Sequence, residues 1–355
     1  MLLVVMGAGA SYDSDPRRQP RGLEPKSSRR PPLAKQLFDD REHFVQIQGR
    51  FPDCMVIAAQ LQYPPKGKSL EQQLQLLQKE SQVDPIRQRQ LLAVRYYLQC
   101  ILWQCEMDWV EQAKGATNHA SLVDQIRHFL PTSDQVCFVT FNYDRLLETA
   151  LRGIGLKINA LDDYITDRQW KLIKLHGSVN WAREIETPID MAGRGNAWEV
   201  AAEVISKADG LKVSSEYRLV SEYPGGGSGG LLPAIAIPLQ DKLDFECPDT
   251  HVQALRAFLP QADSLLLIGW RASEKQFVEL LRTLQRKPWR CVSLAGTRAE
   301  ARNVVHTLRK AGVRLSKPSA YQGFTEYMLS DQLRRFLSRG EAKQIVALVR
   351  LDSVC

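Results

Sequence analysis

Five stretches of this sequence place small or polar residues directly after an apolar run. They occur at residues 7–11 (GAGAS), 140–144 (TFNYD), 175–178 (LHGS), 268–270 (IGW) and 294–296 (LAG). Glycine lets a ligand phosphate approach backbone amides, and serine and asparagine can bind ribose hydroxyls. Together these stretches predict a site for a phosphorylated, nucleotide-like ligand.

His176 is the one histidine that follows an apolar run directly at a glycine. An imidazole with an unperturbed pKa near ~6.5 can accept a proton at neutral pH, so His176 is a candidate general base. The alternative is a histidine that only bonds a neighbouring loop. The other five histidines fall in predicted helices and are interpreted as structural; they are His43, His119, His128, His251 and His306.

Asn142 is the second candidate for chemistry, because its amide is both a donor and an acceptor. It could orient water or a ribose hydroxyl, although a turn after a strand also favours asparagine. Replacing Asn142 or His176 by alanine is expected to abolish turnover while leaving the fold intact.

The elements that position these residues are strands alternating with helices. Apolar runs predict strands at 2–6, at 135–141 and from Trp170, Ala234, Ser264 and Trp289, and helices follow the last two at 273–285 and 298–310. This alternation predicts a Rossmann-like, doubly wound parallel sheet. Ligands bind such sheets beyond the carboxyl ends of the strands, where the five stretches would converge.

A helical insertion is predicted between the first two strands, at about residues 33–130. Its aromatic cluster is interpreted as core or as an oligomer interface, with a cofactor cage as the alternative; it comprises Tyr96, Tyr97, Trp103 and Trp109. Residues 14–32 predict a mobile loop beside the site, and residues 223–233 predict a flexible surface loop.

The composition is that of a soluble globular protein, with 355 residues, 44% hydrophobic and 25% charged. The longest apolar block, residues 91–105, is too short and too polar to span a membrane. Seven cysteines without a Cys-x-x-Cys pair argue against disulfides and a zinc site, so a reducing cytoplasm and no metal are expected.

The net charge of +7 is partly local, because six basic residues lie between positions 17 and 30. They are Arg17, Arg18, Arg21, Lys26, Arg29 and Arg30. A solvated loop is the first interpretation of this segment, and contact with nucleic acid is the alternative.

GAGAS, TFNYD and LHGS, in this order, resemble the sirtuin-like fold, and within it the SIR2-like domains of bacterial anti-phage defence systems. The resemblance implies one SIR2-like domain over residues 1–355. It implies a site for NAD⁺ as substrate, with Asn142 positioning a ribose hydroxyl or the attacking water and His176 as the catalytic base. The implied cofactor-binding residues are Gly7, Ala8, Gly9, Ala10, Ser11, Thr140, Asp144, Gly269, Trp270 and Gly296.

Two departures from the deacetylating sirtuins narrow the implied activity. The two Cys-x-x-Cys pairs of their zinc module are absent, and Tyr12, Asp13 and the Arg/Pro loop replace their Gly-Ile-Pro-Asp-Phe-Arg segment. Both departures argue against protein deacylation. The expectation is therefore an NAD⁺ glycohydrolase that acts in abortive infection by depleting NAD⁺; the alternative is a non-catalytic sensor of NAD or ADP-ribose.

The resemblance also implies that such an activity is controlled, by oligomerisation or by a partner protein. The resemblance points to a homo-oligomer and to a HerA-like ATPase as a possible partner protein, and the aromatic helices of the insertion are the expected assembly face.

Overall fold

The computed structural model describes residues 1–22, 24–189, 196–224, 230–239 and 245–338. Nine strands form two sheets within these ranges. The strands are β1 (Leu2–Met6), β2 (Val136–Thr140), β3 (Trp170–Lys174), β4 (Gly177–Ile185), β5 (Val213–Leu219), β6 (Leu231–Ile235), β7 (Ser264–Ile268), β8 (Trp289–Ala295) and β9 (Leu315–Gln322).

The larger sheet is parallel throughout, with the strand order β3-β2-β1-β7-β8-β9. Every residue of β1, β2 and β7 is buried, since helices cover both faces of a doubly wound sheet and such strands are continuous apolar runs. In the centre, Val4 lies between Phe138 and Leu266. The predicted Rossmann-like sheet is confirmed.

The order of this sheet reverses between β1 and β7, so the connections after them run to opposite sides. The carboxyl ends of these two strands therefore border the crevice in which doubly wound folds bind their ligands. GAGAS and IGW lie at this switch point.

Fourteen α-helices occur in the described residues. They are α1 (Ala8–Tyr12), α2 (Glu42–Gln48), α3 (Pro52–Gln62), α4 (Leu70–Glu80), α5 (Pro85–Ala113), α6 (Asn118–Phe129), α7 (Leu146–Gly153), α8 (Asp163–Thr166), α9 (Ala197–Ser206), α10 (Asp249–Phe258), α11 (Lys275–Leu284), α12 (Arg298–Lys310), α13 (Phe324–Met328) and α14 (Gln332–Leu337). Short 3-10 turns occupy Ala34–Gln36 and Leu259–Gln261. No described helix is both long and apolar enough to cross a membrane.

Helices α2 to α6 form the predicted insertion between β1 and β2. Its longest member, α5, has 29 residues, begins with an Asp84 cap and has Pro85 in its first turn, where proline lacks only an amide that would be unpaired anyway. All four aromatic residues of the predicted cluster are at most 3% exposed. They are therefore core residues, as the first interpretation stated, and these four side chains form neither a cofactor cage nor an exposed assembly face.

The described residues of 14–32 contain no helix or strand, and four of them line the cavity at the carboxyl ends of the parallel strands, namely Gln19, Pro20, Pro31 and Pro32. The prediction of a loop beside the site is confirmed, and its mobility stays a prediction. Asp15 is fully buried and holds Arg17 and Arg18, while the buried Arg30 donates to the carbonyls of Tyr12 and Arg18. Of the six basic residues, all but Arg21 pair with a carboxylate. The local positive charge is thus largely neutralised, which disfavours docking of nucleic acid here.

The smaller sheet is antiparallel, with the order β5-β4-β6. Strand β4 begins directly after His176, so Ser178 of the LHGS stretch is a buried strand residue rather than part of a strand exit. Within the predicted flexible loop, residues 231–233 belong to β6, and residues 225–229 lie outside the described residues.

Candidate functional site

A cavity of about 880 Å³ lies at the carboxyl ends of the parallel strands. Cavities of this size hold small-molecule ligands and cofactors. All five stretches identified in the sequence contribute to its wall, and ten of the twelve predicted site residues line it. These ten are Gly7, Ala8, Gly9, Ser11, Asn142, Asp144, His176, Gly269, Trp270 and Gly296.

Asn142, Ser11 and Asp144 form one hydrogen-bonded group in this wall. The Asn142 side-chain amide donates to the Gly7 carbonyl over 2.9 Å and to the Ser11 hydroxyl over 2.8 Å. Ser11 in turn donates to the Asp144 carboxylate over 2.6 Å. Both amide hydrogens of Asn142 are thus used, and among the described residues no donor bonds its Oδ1. This oxygen is the group that Asn142 can offer to a ligand.

Two predicted site residues lie behind the wall. The Thr140 hydroxyl accepts a hydrogen bond from the backbone N–H of Asn142 over 3.0 Å. Ala10 is completely buried. Neither residue lines the cavity. Thr140 therefore supports the Asn142 turn, and direct contact of Thr140 or Ala10 with a ligand is not what the geometry favours.

The glycines of the first turn are required by contact between two chain segments. A Cβ on Gly269, which has a φ of +60°, would lie 2.3 Å from the Ala10 nitrogen, and a Cβ on Gly7 would lie 2.7 Å from the Gly269 carbonyl oxygen. The amides of Gly7, Gly9 and Ala10 donate to the carbonyls of Ile268, Gly269 and Gly7, respectively. These three amides are therefore not available to a phosphate, unlike the cradle expected from the sequence.

His176 occupies the turn between the two sheets. Its ring lies 4.9 Å from the Phe141 ring and 6.2 Å from the Tyr143 ring, measured between centroids, and the residue is 8% exposed at the cavity. Gly177 has a φ of +77°, and a Cβ there would lie 1.9 Å from the Ala234 carbonyl oxygen. The following residue must therefore be glycine for His176 to hold this position.

A buried ion pair supports the turn that carries Asn142. Lys174 and Glu148 are at most 1% exposed and lie 2.8 Å apart. The ammonium of Lys174 also donates to the backbone carbonyls of Asp144 and Tyr143. A buried charge with such partners fixes the backbone it contacts, because moving that backbone would leave the charge unpaired.

Several residues of the wall were missed by sequence reasoning. Phe141 stacks on Trp270 at 5.6 Å and forms an aromatic wall beside His176, while burial raises the pKa of Tyr143 well above its usual range. The insertion adds Leu102 and Glu106, and the chain after β9 adds Gly323 to Glu326. TFNYD contained Phe141 and Tyr143 as a visible signal; the other residues reach the cavity only through tertiary packing.

The C-terminal part of the wall is attached to the first turn by Asp13. Its carboxylate accepts hydrogen bonds from the amides of Phe324 and Thr325 and from the Thr325 hydroxyl. Asn118 donates to both the Asp13 carbonyl and the Thr325 hydroxyl. The insertion, the first turn and the segment directly after β9 thus meet at one edge of the cavity.

In the described part of the chain, no group of three or more His, Cys, Asp or Glu side chains could hold a metal ion. The six described cysteines are free and buried, and burial raises the pKa of the Cys137 thiol to about 12. These thiols are therefore packing residues.

Comparison with protein families finds one similar family. Residues 136–290 match the family model described as SIR2-like domain. This stretch, which runs from β2 to the start of β8, is similar to SIR2-like domains. No significant match to a curated protein sequence is found.

Solved structures of Sir2 enzymes align with the chain at low similarity. One, from work on the mechanism and regulation of Sir2 enzymes, has 10% identity and a TM-score of 0.38, covering 96% of this chain and 93% of that one. Another, Sir2 with the inhibitor EX-527, 2′-O-acetyl-ADP-ribose and a deacetylated p53 peptide, has 13% identity and a TM-score of 0.39, covering 96% and 94%.

Proposed function

We propose that this protein is an NAD⁺ glycohydrolase, which cleaves NAD⁺ to nicotinamide and ADP-ribose. The observation that supports the proposal is the shared cavity wall: Asn142, His176 and the GAGAS turn line one cavity at the switch point of a SIR2-like domain. Because β1, β8 and β9 complete the same sheet, we treat the whole chain as one functional unit.

In the proposed reaction, the bond between the ribose C1′ and the nicotinamide nitrogen breaks, and nicotinamide leaves with the electron pair. Water adds to C1′ and loses one proton. His176 accepts this proton, directly or through a ribose hydroxyl. Asn142 acts through Oδ1, which accepts a hydrogen bond from the water or from a ribose hydroxyl, since its Nδ2 is held by Gly7 and Ser11.

The pyrophosphate requires positive charge at the wall of the glycine turn. Arg271 follows Trp270 directly, is exposed and lines the cavity. A guanidinium matches a phosphate with paired N–H donors, so we assign the pyrophosphate to Arg271 and the surface of Gly7, Ala8 and Gly9. In this proposal the Arg271 side chain donates to the pyrophosphate in place of the backbone amides of Gly7, Gly9 and Ala10, which already donate to protein carbonyls.

Nicotinamide release from NAD⁺ tests the proposal. Wild type is expected to release nicotinamide, and His176→Ala is expected to release at least about a hundredfold less, since general base catalysis contributes about 10²–10⁴-fold. His128→Ala is the matched control, because His128 is exposed on α6 and does not line the cavity. Equal loss in both variants contradicts a specific role of His176. NAD⁺ binding without release by wild type supports the sensor instead.

The finer expectations of anti-phage defence, cytoplasmic location and self-association also belong to this proposal.

Eight of the nine large apolar side chains that are exposed among the described residues lie between positions 45 and 107. Met55 and Val56 on α3 and Tyr63, directly after it, are exposed apolar side chains close together along the chain, which suits contact with a second copy of the chain. Sedimentation that shifts from oligomer to monomer in Val56→Glu would support this interface, and a monomeric wild type would contradict it. A HerA-like ATPase partner stays a prediction from the family resemblance.

A further inference from the structure

One face of α5 lies along the part of the candidate site that contains Asn142 and His176. Arg95, Gln99, Leu102 and Glu106 are spaced i, i+4, i+7 and i+11, so their side chains leave the helix on the same side. Leu102 and Glu106 line the cavity. Further along the helix, Trp109 donates to the Ser14 hydroxyl, just after the glycine turn, over 2.8 Å. The insertion is therefore part of the site.

The first half of this face holds the chain on both sides of His176. Gln99 donates to the Val179 carbonyl over 2.8 Å. Arg95 lies 3.2 Å from the Glu246 carboxylate, and the Glu246 amide donates to the Leu175 carbonyl. Gln99 thus holds main chain three residues after His176 directly, and Arg95 holds the residue before His176 through Glu246.

The second half holds the turn that carries Asn142. One carboxylate oxygen of Glu106 accepts from the Arg145 backbone amide over 2.7 Å, and the other accepts from the Arg145 side-chain Nε over 2.8 Å. The Arg145 guanidinium also lies over the Trp103 ring, 4.3 Å from its centroid. Arg145 directly follows Asp144, so α5 holds the end of the Asn142 turn from the side opposite to Lys174 and Glu148.

We propose that Glu106 is a positioning residue of the site, which acts through Arg145 to fix the turn of Asn142 and Asp144 for catalysis. The catalytic part of this inference rests on the proposed NAD⁺ hydrolysis, and the structural part does not. The proposal makes the geometry of the site depend on the helical insertion, because Glu106 belongs to the insertion and the turn of Asn142 and Asp144 follows strand β2 of the sheet.

The environment of Glu106 fits such a role. The residue is 5% exposed. Burial raises its pKa to about 7, against the opposing effect of Arg145, and the carboxylates of Asp144 and Glu148 add to the rise. A buried carboxylate lowers the stability of the fold unless a cation and hydrogen-bond donors pair with it, as Arg145 does here.

Glu106→Gln tests the inference with little change of shape. The glutamine retains one acceptor oxygen and turns an NH₂ group toward an N–H donor, so the two contacts to Arg145 cannot both persist. Asp53→Asn is the matched control: it makes the same change of carboxylate to amide in an ion pair with α5, at Arg89, but Asp53 does not line the cavity. The readouts are kcat and KM for NAD⁺ and hydrogen exchange of the peptide spanning residues 142–147.

In Glu106→Gln we expect kcat to fall about 10- to 100-fold, as for a displaced catalytic group, with KM changed less than about twofold. Exchange in residues 142–147 should accelerate, and Asp53→Asn should change neither readout. If exchange is unchanged, Glu106 does not hold the turn; if exchange accelerates while kcat stays constant, the turn does not need to be held. Either result overturns the inference.

The failure of the proposed function would be recognised separately. If wild type releases no nicotinamide, NAD⁺ hydrolysis fails, and the exchange measurement alone then decides whether Glu106 holds the turn. If Glu106→Gln does not fold, Arg145→Lys is the substitute, because it keeps the charge and the backbone amide but loses the Nε donor. Arg145→Lys should lower kcat and accelerate exchange in residues 142–147, both to a smaller extent than Glu106→Gln. If neither readout changes, the inference is overturned.

Discussion

The Asn142 side chain donates one amide hydrogen to the Ser11 hydroxyl, over 2.8 Å, across the two central strand exits of the sheet. With its other hydrogen it holds the Gly7 carbonyl. A residue expected to act on the ligand therefore also closes the wall of the cavity. For this reason Asn142→Ala should lower stability, and the expectation that this variant leaves the fold intact is revised.

Asn142→Asp tests how much the two hydrogen bonds of the Asn142 side chain stabilise the fold. The substitution keeps the size of the side chain and its Oδ1 but replaces both donors with a carboxylate oxygen, next to Asp144. We expect the free energy of unfolding to fall by about 2–4 kcal/mol, the cost of two lost hydrogen bonds and an added buried charge. Urea denaturation measures this change. An unchanged midpoint would show that the bonds to Gly7 and Ser11 contribute nothing.

Gly269 and Gly296 form a matched pair of cavity glycines. Gly269→Ala places a methyl group against the backbone of Gly9 and Ala10 at a positive φ, so we expect a loss of roughly 3 kcal/mol or failure to fold. In Gly296→Ala the nearest atom is a Glu300 carboxylate oxygen at 3.2 Å, and the expected change is less than about 1 kcal/mol. Thermal denaturation compares the two, and equal stability of both variants would contradict the packing described.

Lys174→Met tests the buried support of the Asn142 turn. Removing the ammonium leaves the Glu148 carboxylate buried without its cation, and such changes cost about 3–5 kcal/mol. The double variant Lys174→Met/Glu148→Gln should recover part of this loss, because no unpaired charge remains. A double variant less stable than the single variant, measured by chemical denaturation, would refute this view of the pair.

Three buried histidines should make the fold sensitive to acid. Burial lowers the pKa of His43, His119 and His251 to about 4, from an ordinary value of 6.5. A depressed folded-state pKa contributes stability above pH 6.5 that is lost as the pH falls toward 4, up to roughly 3 kcal/mol for each group.

Unfolding at pH 7.5 and at pH 5.0 checks this expectation. Wild type should lose more stability between the two pH values than His119→Leu, which cannot take up a proton at this site. The same loss in both proteins would show that His119 does not carry the effect.

Much of the fold could be predicted because the strands of a covered parallel sheet are continuous apolar runs, as in β1 and β7. The convergence of the five stretches followed from topology alone. Strands β4 and β5 were missed; in β5 no residue is fully buried, and its VSSEYRL pattern resembles a loop. The β9 strand and the two helices after it were also missed, and they add Gly323 to Glu326 to the cavity.

The contacts within the site could not be predicted from the sequence, for a different reason. Gly7 and Gly9 suggested phosphate binding, but they are required by contact with Gly269, which lies about 260 positions away along the chain. Glu106 and Asp13 act on Arg145 and α13 through packing between distant segments. A local pattern records none of these partners, because each contact depends on the tertiary arrangement of two elements.

Incorporation of oxygen from ¹⁸O-labelled water into the products of NAD⁺ is the most direct test of hydrolysis in this cavity. We predict that wild type forms ADP-ribose with one labelled oxygen for each nicotinamide released, and that His176→Ala forms none above background. Wild-type protein that binds NAD⁺ but releases neither product, or that releases nicotinamide without labelled ADP-ribose, would contradict the account.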